Sequence, residues 1–532
     1  MTFNKILNKY RRISFSERDK GDRFERLMQL FLKTDPRYAY LFDKVWMWNE
    51  FPFKKDLGGK DTGIDLVALT NDGDYWAIQC KCYQETAMID KKSVDSFLST
   101  SSRSFQNEQL ITTNFSQRLW ISTTNKWTNN AAESIKNQRI PVIRLNLYDL
   151  EQAPVDWQKI EEGISGEQAR LIKKTIRKHQ AEALEKTHKY FKSNDRGKLI
   201  MACGTGKTFT TLKIAENETN GTGLILILVP SIALIGQTLR EWTADAKEPI
   251  NPICIYSDPK VTQQTITNDE TDNVSVVDLA LPASTNVKNI QRQFKLIKQS
   301  NKAGMIVVFS TYQSIDVIAE AQKSLINSGI GYNEFDLIIC DEAHRTTGVI
   351  LSGSNESAFV KVHDNEFIKA KKRIYMTATP RLYSDDSKSK AAQNDAILCS
   401  MDDPKIYGEE IYRIGFGEAV ERDLLTDYKV LILTIGDKDV SPAIQSALAT
   451  GKKELGFDDI TKLIGVVNAL SKQVLGDEGF IKSSDPAPMK RAVAFCDRIK
   501  NSKLISDTFN DMTEIYLNSL KESRKEKMKY WN

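Results

Sequence analysis

The sequence lacks any long apolar run. Its longest, GLILILVP at residues 223–230, is far shorter than the roughly 18 apolar residues that a membrane-spanning helix needs. The N-terminus, MTFNKILNKYRRISF, is basic but contains no apolar signal core. These absences argue against a membrane span and an export signal, so the cytoplasm is the expected location.

Cysteine and histidine are scarce as well. The seven cysteines are odd in number and scattered, unlike a disulfide framework, which is dense and usually even-numbered. Cys80 and Cys82 are close together, but zinc would need two more thiols or imidazoles, and the first of the four histidines is His179. Buried packing is therefore the expected role of both thiols. The net charge of +4 is too small to indicate a partner.

Apolar segments alternate with amphipathic ones, which predicts an α/β protein of about three domains. We expect a first domain at 1–150, a linker at 151–175, a second domain at 176–400 and the start of a third, incomplete one at 401–532. The second domain contains the apolar runs KLIMAC, GLILILVP, NPICIYS, MIVVFST, FDLIICDEAH and RIYMTATP. Such runs are typical of a parallel sheet covered on both faces.

A phosphate-binding loop is predicted at MACGTGKT, between an apolar run and a helical one. Consecutive backbone N–H groups at a helix N-terminus favour phosphate. Lys207 would reach the β- and γ-phosphates and Thr208 would hold Mg²⁺. Met201 replaces the first glycine of the GxxxxGK[ST] pattern, but GTGKT is intact. The other cofactor-binding positions of the loop are Gly204, Thr205 and Gly206.

The run FDLIIC delivers the tetrapeptide DEAH at its C-terminal end, where open α/β sheets bind ligands. Asp341 is predicted to hold Mg²⁺ through water, and Glu342 to orient and deprotonate the attacking water. A solvated acidic cluster is the alternative, and the phosphate loop argues against it. His344 is expected to couple the nucleotide state to neighbouring elements.

In order along the chain, these motifs resemble those of superfamily-two helicases and translocases, over about residues 176–510. The resemblance implies RecA-like motor lobes, with Gln180 of IRKHQ reading adenine and with Thr377 and Thr379 of TAT linking the ATP and DNA sites. The family's last motifs, including an arginine finger, are expected beyond residue 532. We therefore expect the chain to bind ATP but to hydrolyse it poorly.

A second set of candidate residues lies in GIDLVAL and YWAIQCKCY, two predicted strands around the turn NDG. Phosphodiester hydrolysis needs carboxylates that hold Mg²⁺ and a cation near the reacting phosphate, roles that suit Asp65 and Lys81. Since side chains alternate along a strand, Gln79 and Lys81 share one face, and Cys80 and Cys82 share the other.

The hairpin register decides whether Asp65 can join Gln79. A two-residue turn at Asp72-Gly73 would place Asp65 opposite Cys80, on the wrong face. A three-residue loop, Asn71 to Gly73 with the glycine in the left-handed conformation, places Asp65 opposite Gln79. The chemistry requires the three-residue loop, so that register is predicted. Asp74 then faces away and is the weaker candidate.

Preceded by a helical FE, this set resembles the Mrr-like branch of the PD-(D/E)xK nucleases over about residues 15–150. The resemblance implies that Asp65 binds the metal, that Gln79 replaces the usual acid and that Lys81 is catalytic. Glu25 could add a carboxylate, although a solvated helix charge is the ordinary alternative. An inactive, nuclease-like DNA-binding module is the other interpretation of the domain.

A nuclease ahead of a DEAH motor resembles the N-terminal part of Type ISP restriction-modification enzymes. This implies an endonuclease that uses ATP and Mg²⁺ and translocates on double-stranded DNA. Methyltransferase and target-recognition domains would then lie on the missing C-terminal part of the polypeptide. The alternatives are a Type I restriction subunit, a standalone defence helicase-nuclease, or a non-cleaving, ATP-gated DNA-binding sensor. Unchanged cleavage on replacing Asp65 or Lys81 would reject the nuclease.

Overall fold

The computed structural model describes residues 2–58, 63–136, 138–256, 281–300, 302–351, 358–387, 396–428, 457–471, 489, 492–496 and 498–519. Residues 1–426 form one compact unit and residues 427–532 a second. The predicted α/β class is confirmed, with two extended sheets in the first unit. Among the described helices, none combines the length and apolarity needed to cross a bilayer.

The first sheet has six strands in the order β1-β2-β3-β5-β4, with β6 beside β5. β1 to β3 pair antiparallel, whereas β3, β5 and β6 run parallel. The strands are β1 (Phe42–Met47), β2 (Leu66–Thr70), β3 (Tyr75–Lys81), β4 (Ser104–Gln106), β5 (Thr112–Ser122) and β6 (Val142–Leu145). The helices around them are α1 (Phe3–Ile13), α2 (Glu17–Leu32), α3 (Pro36–Ala39), α4 (Lys91–Thr100), α5 (Asn129–Ser134), α6 (Leu147–Glu151) and α7 (Trp157–Glu161).

Helix α2 contains the helical FE that precedes the candidate nuclease strands. Its N-cap is Ser16, whose side chain accepts a hydrogen bond from the Asp19 N–H. Its apolar side, which includes Phe24 and Phe31, is buried and belongs to the same core as Ile78 of β3. Helix α2 thus covers one face of the sheet, and α4 and α5 contribute to the core on the other face.

Residues 151–170, expected as part of a linker, pack against the first sheet's helices. The Trp157 ring stacks on Phe31 with centroids 5.3 Å apart and contacts Phe3 at 4.5 Å. Its indole N–H donates to the Leu150 carbonyl at 3.0 Å. Trp157 therefore holds this segment to the domain together with Val155 and Ile160, which belong to the same core.

The second sheet has seven strands in the order β15-β7-β13-β11-β8-β10-β9, all parallel. Every apolar run predicted for this region forms one of its strands. They are β7 (Arg196–Met201), β8 (Leu224–Val229), β9 (Asn251–Ile255), β10 (Ile306–Thr311), β11 (Leu337–Cys340), β13 (Arg373–Thr377) and β15 (Glu409–Ile414). A separate antiparallel pair consists of β12 (Gly348–Leu351) and β14 (Ala396–Cys399). Because β15 pairs with β7, this sheet extends beyond residue 400.

Helices lie between the parallel strands, as expected for such a sheet. They are α8 (Lys178–Tyr190), α9 (Lys207–Thr219), α10 (Ile232–Asp245), α11 (Val287–Ser300), α12 (Ile315–Asn327), α13 (Pro404–Tyr407) and α14 (Phe416–Glu421). The β2–β3 hairpin tip of the first sheet contacts this region through the ion pairs Asp74–Arg292 at 3.6 Å and Lys302–Asp72 at 3.8 Å. The hairpin of the first sheet is therefore in direct contact with α11 and the residues after it through polar groups.

The second unit is described mainly by two helices, α15 (Phe457–Leu470) and α16 (Ile499–Ser519). Leu463, Ile464 and Val467 of α15 pack with Tyr516 of α16, and the Asn468 amide donates to the Tyr516 hydroxyl at 2.9 Å. The strand predicted at YKVLILTI lies almost wholly outside the described residues.

Candidate functional sites

The β2–β3 hairpin adopts the predicted register. Leu66 pairs with Ile78 and Leu69 with Tyr75, while the Thr70 N–H donates to the Asp74 carbonyl at 2.8 Å. Gly73 has a φ of +87°, a left-handed conformation that glycine adopts without a steric penalty. The three-residue loop is therefore confirmed, and Asp65 lies next to Gln79.

Asp65 is held by two donors from β3. Its Oδ2 accepts hydrogen bonds from the Gln79 side-chain amide and, at 2.7 Å, from the Cys80 backbone N–H. Asp65 is 7% exposed and Gln79 1% exposed. The carboxylate is thus fixed in a nearly dry position at the strand ends.

Lys81 and Glu25 belong to different elements. Lys81 is half-buried at the end of β3, and among the residues the structure describes it has no ion pair. Glu25 lies on α2, which packs against the face of the sheet that Cys80 occupies. Burial raises the pKa of the Cys80 thiol, and the charges of Asp65 and Glu25 raise it further. The role of Glu25 beside Asp65 remains a prediction.

The two thiols pack as the sequence predicts. Cys80 is buried and Cys82 partly buried, and neither forms a disulfide. Burial also raises the pKa of Cys82, which disfavours the thiolate needed for zinc or redox chemistry. Within the described ranges, no cluster of three or more histidine, cysteine or acidic side chains could enclose a metal ion.

The predicted phosphate loop lies between β7 and α9. Gly204 and Gly206 have φ values of +85° and +84°, so the turn requires residues without a Cβ. A Cβ on Gly206 would lie 2.5 Å from Nε2 of Gln180. The loop is therefore shaped both by its own turn and by the close approach of Gln180.

Gln180 and His179, at the start of α8, hold the back of this loop. Gln180 donates through Nε2 to the carbonyls of Thr205 and Gly206, at 3.4 Å each. The His179 ring nitrogen Nε2 lies 2.8 Å from the Thr205 carbonyl. His179, which the sequence analysis did not single out, is 2% exposed. Its position directly before Gln180 was the available signal.

Lys207 and Thr208 begin α9, as the motif requires. The Lys207 ammonium lies 3.4 Å from the Met201 carbonyl and 3.9 Å from the Cys203 sulfur. The Thr208 carbonyl accepts from the Trp242 indole at 3.1 Å, which fixes the first turn of α9 against α10. The Lys207 side chain therefore folds back over the loop in which the phosphates would bind.

Asp341 and Glu342 follow β11 at the same edge of the sheet. Burial and the neighbouring Glu342 raise the pKa of Asp341 to about 6, against the opposing charge of Lys207. Glu342 has a left-handed φ of +48°, an uncommon conformation for a residue with a side chain. The Tyr312 hydroxyl, another position that the sequence did not indicate, donates to the Asp341 carbonyl at 2.8 Å.

His344 lies between the acidic pair and the TAT segment. Its Nδ1 is 3.0 Å from the Thr377 hydroxyl and 3.4 Å from Oε2 of Glu342. The Thr379 N–H donates to the Thr377 hydroxyl at 3.1 Å. Burial lowers the pKa of His344, which favours the neutral ring. A continuous polar path thus joins Glu342 to Thr379.

A buried aromatic network behind this path was not predicted. The His363 ring nitrogens lie 2.9 Å from the Tyr375 hydroxyl and 3.0 Å from the Thr346 carbonyl, and the Thr346 hydroxyl contacts Tyr407 at 3.1 Å. Burial lowers the pKa of His363 to about 4. The network fixes the turn after DEAH, and no local pattern indicates it because its members are far apart in the chain.

Comparisons with known families agree with the two sites. Residues 33–167 match the family described as restriction endonuclease, and residues 173–382 match the family described as Type III restriction enzyme, res subunit. The first match contains Asp65, Gln79 and Lys81. The second contains every motor position discussed above up to Thr379.

Individual relatives cover the chain more fully. The DNA-bound structure of the ATP-dependent Type ISP restriction-modification enzyme LlaBIII has 35% sequence identity and a TM-score of 0.77, covering 97% of this chain and 31% of LlaBIII. The EcoAI Type I restriction endonuclease subunit of Escherichia coli is 24% identical over 67% of this chain and 36% of its own.

A probable helicase, A859L of African swine fever virus (strain Badajoz 1971 Vero-adapted), is 24% identical over 62% of this chain and 30% of the viral protein. The chain therefore spans about a third of the length of these relatives. The matched regions together contain both sets of functional residues. One region of this chain matches a restriction-endonuclease family and the next matches a res-subunit family, and nearly all of the chain is similar to a Type ISP restriction-modification enzyme.

Proposed function

We propose that this chain is the nuclease and motor part of an ATP-dependent restriction endonuclease. The motor would translocate on double-stranded DNA, and the nuclease would cleave phosphodiester bonds in that DNA. The observation that carries the proposal is the contact between Asp65 and Gln79. It places the residues of a nuclease motif at one strand edge, in the same compact unit as a nucleotide loop and a DEAH motif.

The nuclease site suits a hard divalent cation. Mg²⁺ prefers oxygen ligands and takes one or two carboxylates, with water completing its shell, so Asp65, with Glu25 as a proposed second carboxylate, would suit it. Bound there, Mg²⁺ would supply charge stabilisation and an activated water. Gln79 orients the Asp65 carboxylate, and Lys81 would hold the reacting phosphate or the attacking water.

In the motor, each residue has a distinct proposed role. The loop from Gly204 to Thr208 would bind the nucleotide phosphates, with Lys207 neutralising their charge. Thr208 and Asp341 would hold Mg²⁺, whose charge would offset that of the nucleotide phosphates. Glu342 would orient the attacking water and take its proton. Gln180, which already contacts the loop, would report adenine binding to it.

His344, Thr377 and Thr379 are proposed to couple the two activities of the motor. His344 contacts both Glu342 and Thr377, so a change at the water-activating carboxylate would displace the TAT segment. That segment begins at the end of β13, next to the phosphate-loop strand β7. DNA binding at the TAT side would therefore alter the geometry of hydrolysis.

In this proposal, residues 1–150 form the nuclease, 151–175 join it to the motor, 176–400 form the first lobe and 401–532 begin the second. Methyltransferase and target-recognition domains would belong to the same polypeptide, as the similarity to a restriction-modification enzyme suggests. DNA methylation by the 532-residue chain itself would contradict that division of activities.

The test is cleavage of supercoiled plasmid DNA by the complete polypeptide, which would carry the remaining motor motifs, with ATP and Mg²⁺ omitted in turn. Asp65→Ala should abolish cleavage and leave nucleotide binding unchanged, whereas Lys207→Ala should abolish nucleotide binding. Loss of cleavage in both variants would show that cutting depends on the motor. Cleavage by Asp65→Ala at the unmodified rate would reject the nuclease assignment and favour a non-cleaving DNA-binding role.

A further inference from the structure

A row of side chains begins at Asp65, the proposed metal ligand, and crosses the nuclease sheet. Asp65 contacts Gln79 on β3, Gln79 pairs with Trp120 on β5, and Trp120 pairs with Arg144 on β6. Paired residues on adjacent strands direct their side chains to the same face. Arg144 therefore lies on the same face of the sheet as Gln79 and Lys81.

The Arg144 guanidinium is held by aromatic rings. It stacks over the Trp127 ring at 4.9 Å from the ring centroid, and Trp127 packs on Trp120 with centroids 5.5 Å apart. Such a stack fixes the planar guanidinium and keeps its charge. Arg144 is half-buried and its Nε is buried, so only part of this side chain is exposed to solvent.

The spacing of the row suits a nucleic-acid backbone. Neighbouring strands are about 4.8 Å apart, so two strand spacings separate Gln79 from Arg144. Each DNA strand carries one phosphate per roughly 3.4 Å of helix axis. A strand whose reacting phosphate lies at Lys81 would therefore present another phosphate, within a few nucleotides, to Arg144.

We propose that Arg144, stacked on Trp127, binds a backbone phosphate that flanks the cleaved one and so positions the DNA strand in the nuclease site. The inference rests on the proposed nuclease function and adds a substrate-binding residue to it. A planar guanidinium forms paired, charge-assisted hydrogen bonds to phosphate, whereas lysine would supply the charge without the stack.

Crosslinking tests whether residue 144 lies near a backbone phosphate. The probe is a DNA duplex that carries a disulfide tether on one phosphate. Arg144→Cys should react at least about tenfold faster than Arg139→Cys, in which the thiol replaces an exposed arginine before the opposite end of β6. The rate of the unchanged chain, with its exposed Cys203, is subtracted. Equal rates for the two variants would overturn the inference.

Steady-state cleavage tests the energetic role without a new thiol. In Arg144→Gln we expect KM for DNA to rise about tenfold with kcat nearly unchanged, as for loss of one charge-assisted contact. The slope of log KM against log salt should fall by about 0.9. Arg144→Lys should recover part of the affinity, and Arg139→Gln should match the unmodified chain.

The inference about Arg144 and the proposed nuclease function can be rejected separately. If Asp65→Ala abolishes cleavage while Arg144→Gln leaves KM and its salt dependence unchanged, the inference about Arg144 is wrong and the nuclease function stands. If Asp65→Ala cleaves normally, the nuclease function itself is wrong. Thermal unfolding of each variant distinguishes a lost contact from a damaged fold.

Discussion

The two candidate sites are both built at strand ends, but they depend on different features of the fold. In the motor, the parallel strands β7, β11 and β13 direct the phosphate loop, DEAH and TAT to one edge of the sheet. In the nuclease, Asp65 and Gln79 meet because one antiparallel hairpin has one register. A slip of one residue would move Asp65 to the opposite face. The nuclease site is therefore the more sensitive to local backbone changes.

The sites also treat their carboxylates differently. Asp65 accepts hydrogen bonds from Gln79 and the Cys80 backbone, which fix the position of its carboxylate. The pKa of Asp341 is raised to about 6, mainly by burial. Two donors of β3 therefore hold the nuclease carboxylate, whereas burial disfavours the charged form of the motor carboxylate. This contrast gives each site its own response to substitution and to pH.

The largest effect is expected from Lys207→Ala, which tests whether the motor site is independent of the nuclease. Loss of the ammonium should weaken binding of a fluorescent ATP analogue by about 100-fold or more, because several charge-assisted contacts to phosphate disappear. Lys189→Ala, which removes an exposed lysine of α8, should bind nucleotide normally. Equal affinity in Lys207→Ala and the unmodified chain would contradict the assignment of the loop.

An effect of similar size, on DNA cleavage and not on nucleotide binding, is expected from Lys81→Ala. Removing the cation beside the reacting phosphate should slow plasmid cleavage by about 10²- to 10⁴-fold and leave ATP-analogue binding unchanged. Lys92→Ala, which removes an exposed lysine of α4, serves as the control. If both variants cleave alike, Lys81 has no part in the chemistry.

A smaller effect is expected from Thr377→Val, which keeps the shape of the side chain but removes the hydroxyl between His344 and Thr379. In the complete polypeptide, loss of these hydrogen bonds should reduce DNA stimulation of ATP hydrolysis by about 3- to 10-fold, with nucleotide affinity preserved. Phosphate release with and without duplex DNA measures the ratio. A normal ratio would show that this path carries no coupling.

The smallest expected effect is the contribution of Asp341 to the pH dependence of folding stability. In the folded chain its pKa is about 6, above the ordinary value of 3.8, so the folded state favours the protonated acid. The stability that this provides is present below about pH 4 and is lost as the pH rises through 6.

Without Mg²⁺ and nucleotide, Asp341→Asn should therefore unfold about 2–4 °C higher than the unmodified chain at pH 8. The difference should vanish near pH 4, and thermal melts across this range measure it. A constant difference at all pH values would mean that the titration of Asp341 does not contribute.

Much of this arrangement could be predicted because its signals are local. The apolar runs of the second sheet identify its strands, and GTGKT and DEAH follow two of them directly. The hairpin register followed from side-chain alternation and from Gly73, which permits the left-handed turn. These features depend on residues close together in sequence.

Other features depend on contacts between distant residues. Strand β1 contains Asp43 and Lys44 and shows no continuous apolar run, so it was not predicted. Trp157 packs the polar segment after residue 150 against the core. The composition of that segment alone does not indicate this contact. The His363 network and the stack of Arg144 on Trp127 likewise form only when separate strands meet.

The central claim is that the hairpin register creates a cleaving site at Asp65, separate from the motor. It is tested most directly by comparing Asp65→Asn with Asp74→Asn, which change two acids of the same hairpin region, in one plasmid-cleavage experiment that also records ATP-analogue binding. We predict that Asp65→Asn loses cleavage by at least about 100-fold, while Asp74→Asn cleaves normally and both bind nucleotide. Cleavage by Asp65→Asn at the unmodified rate would contradict the claim.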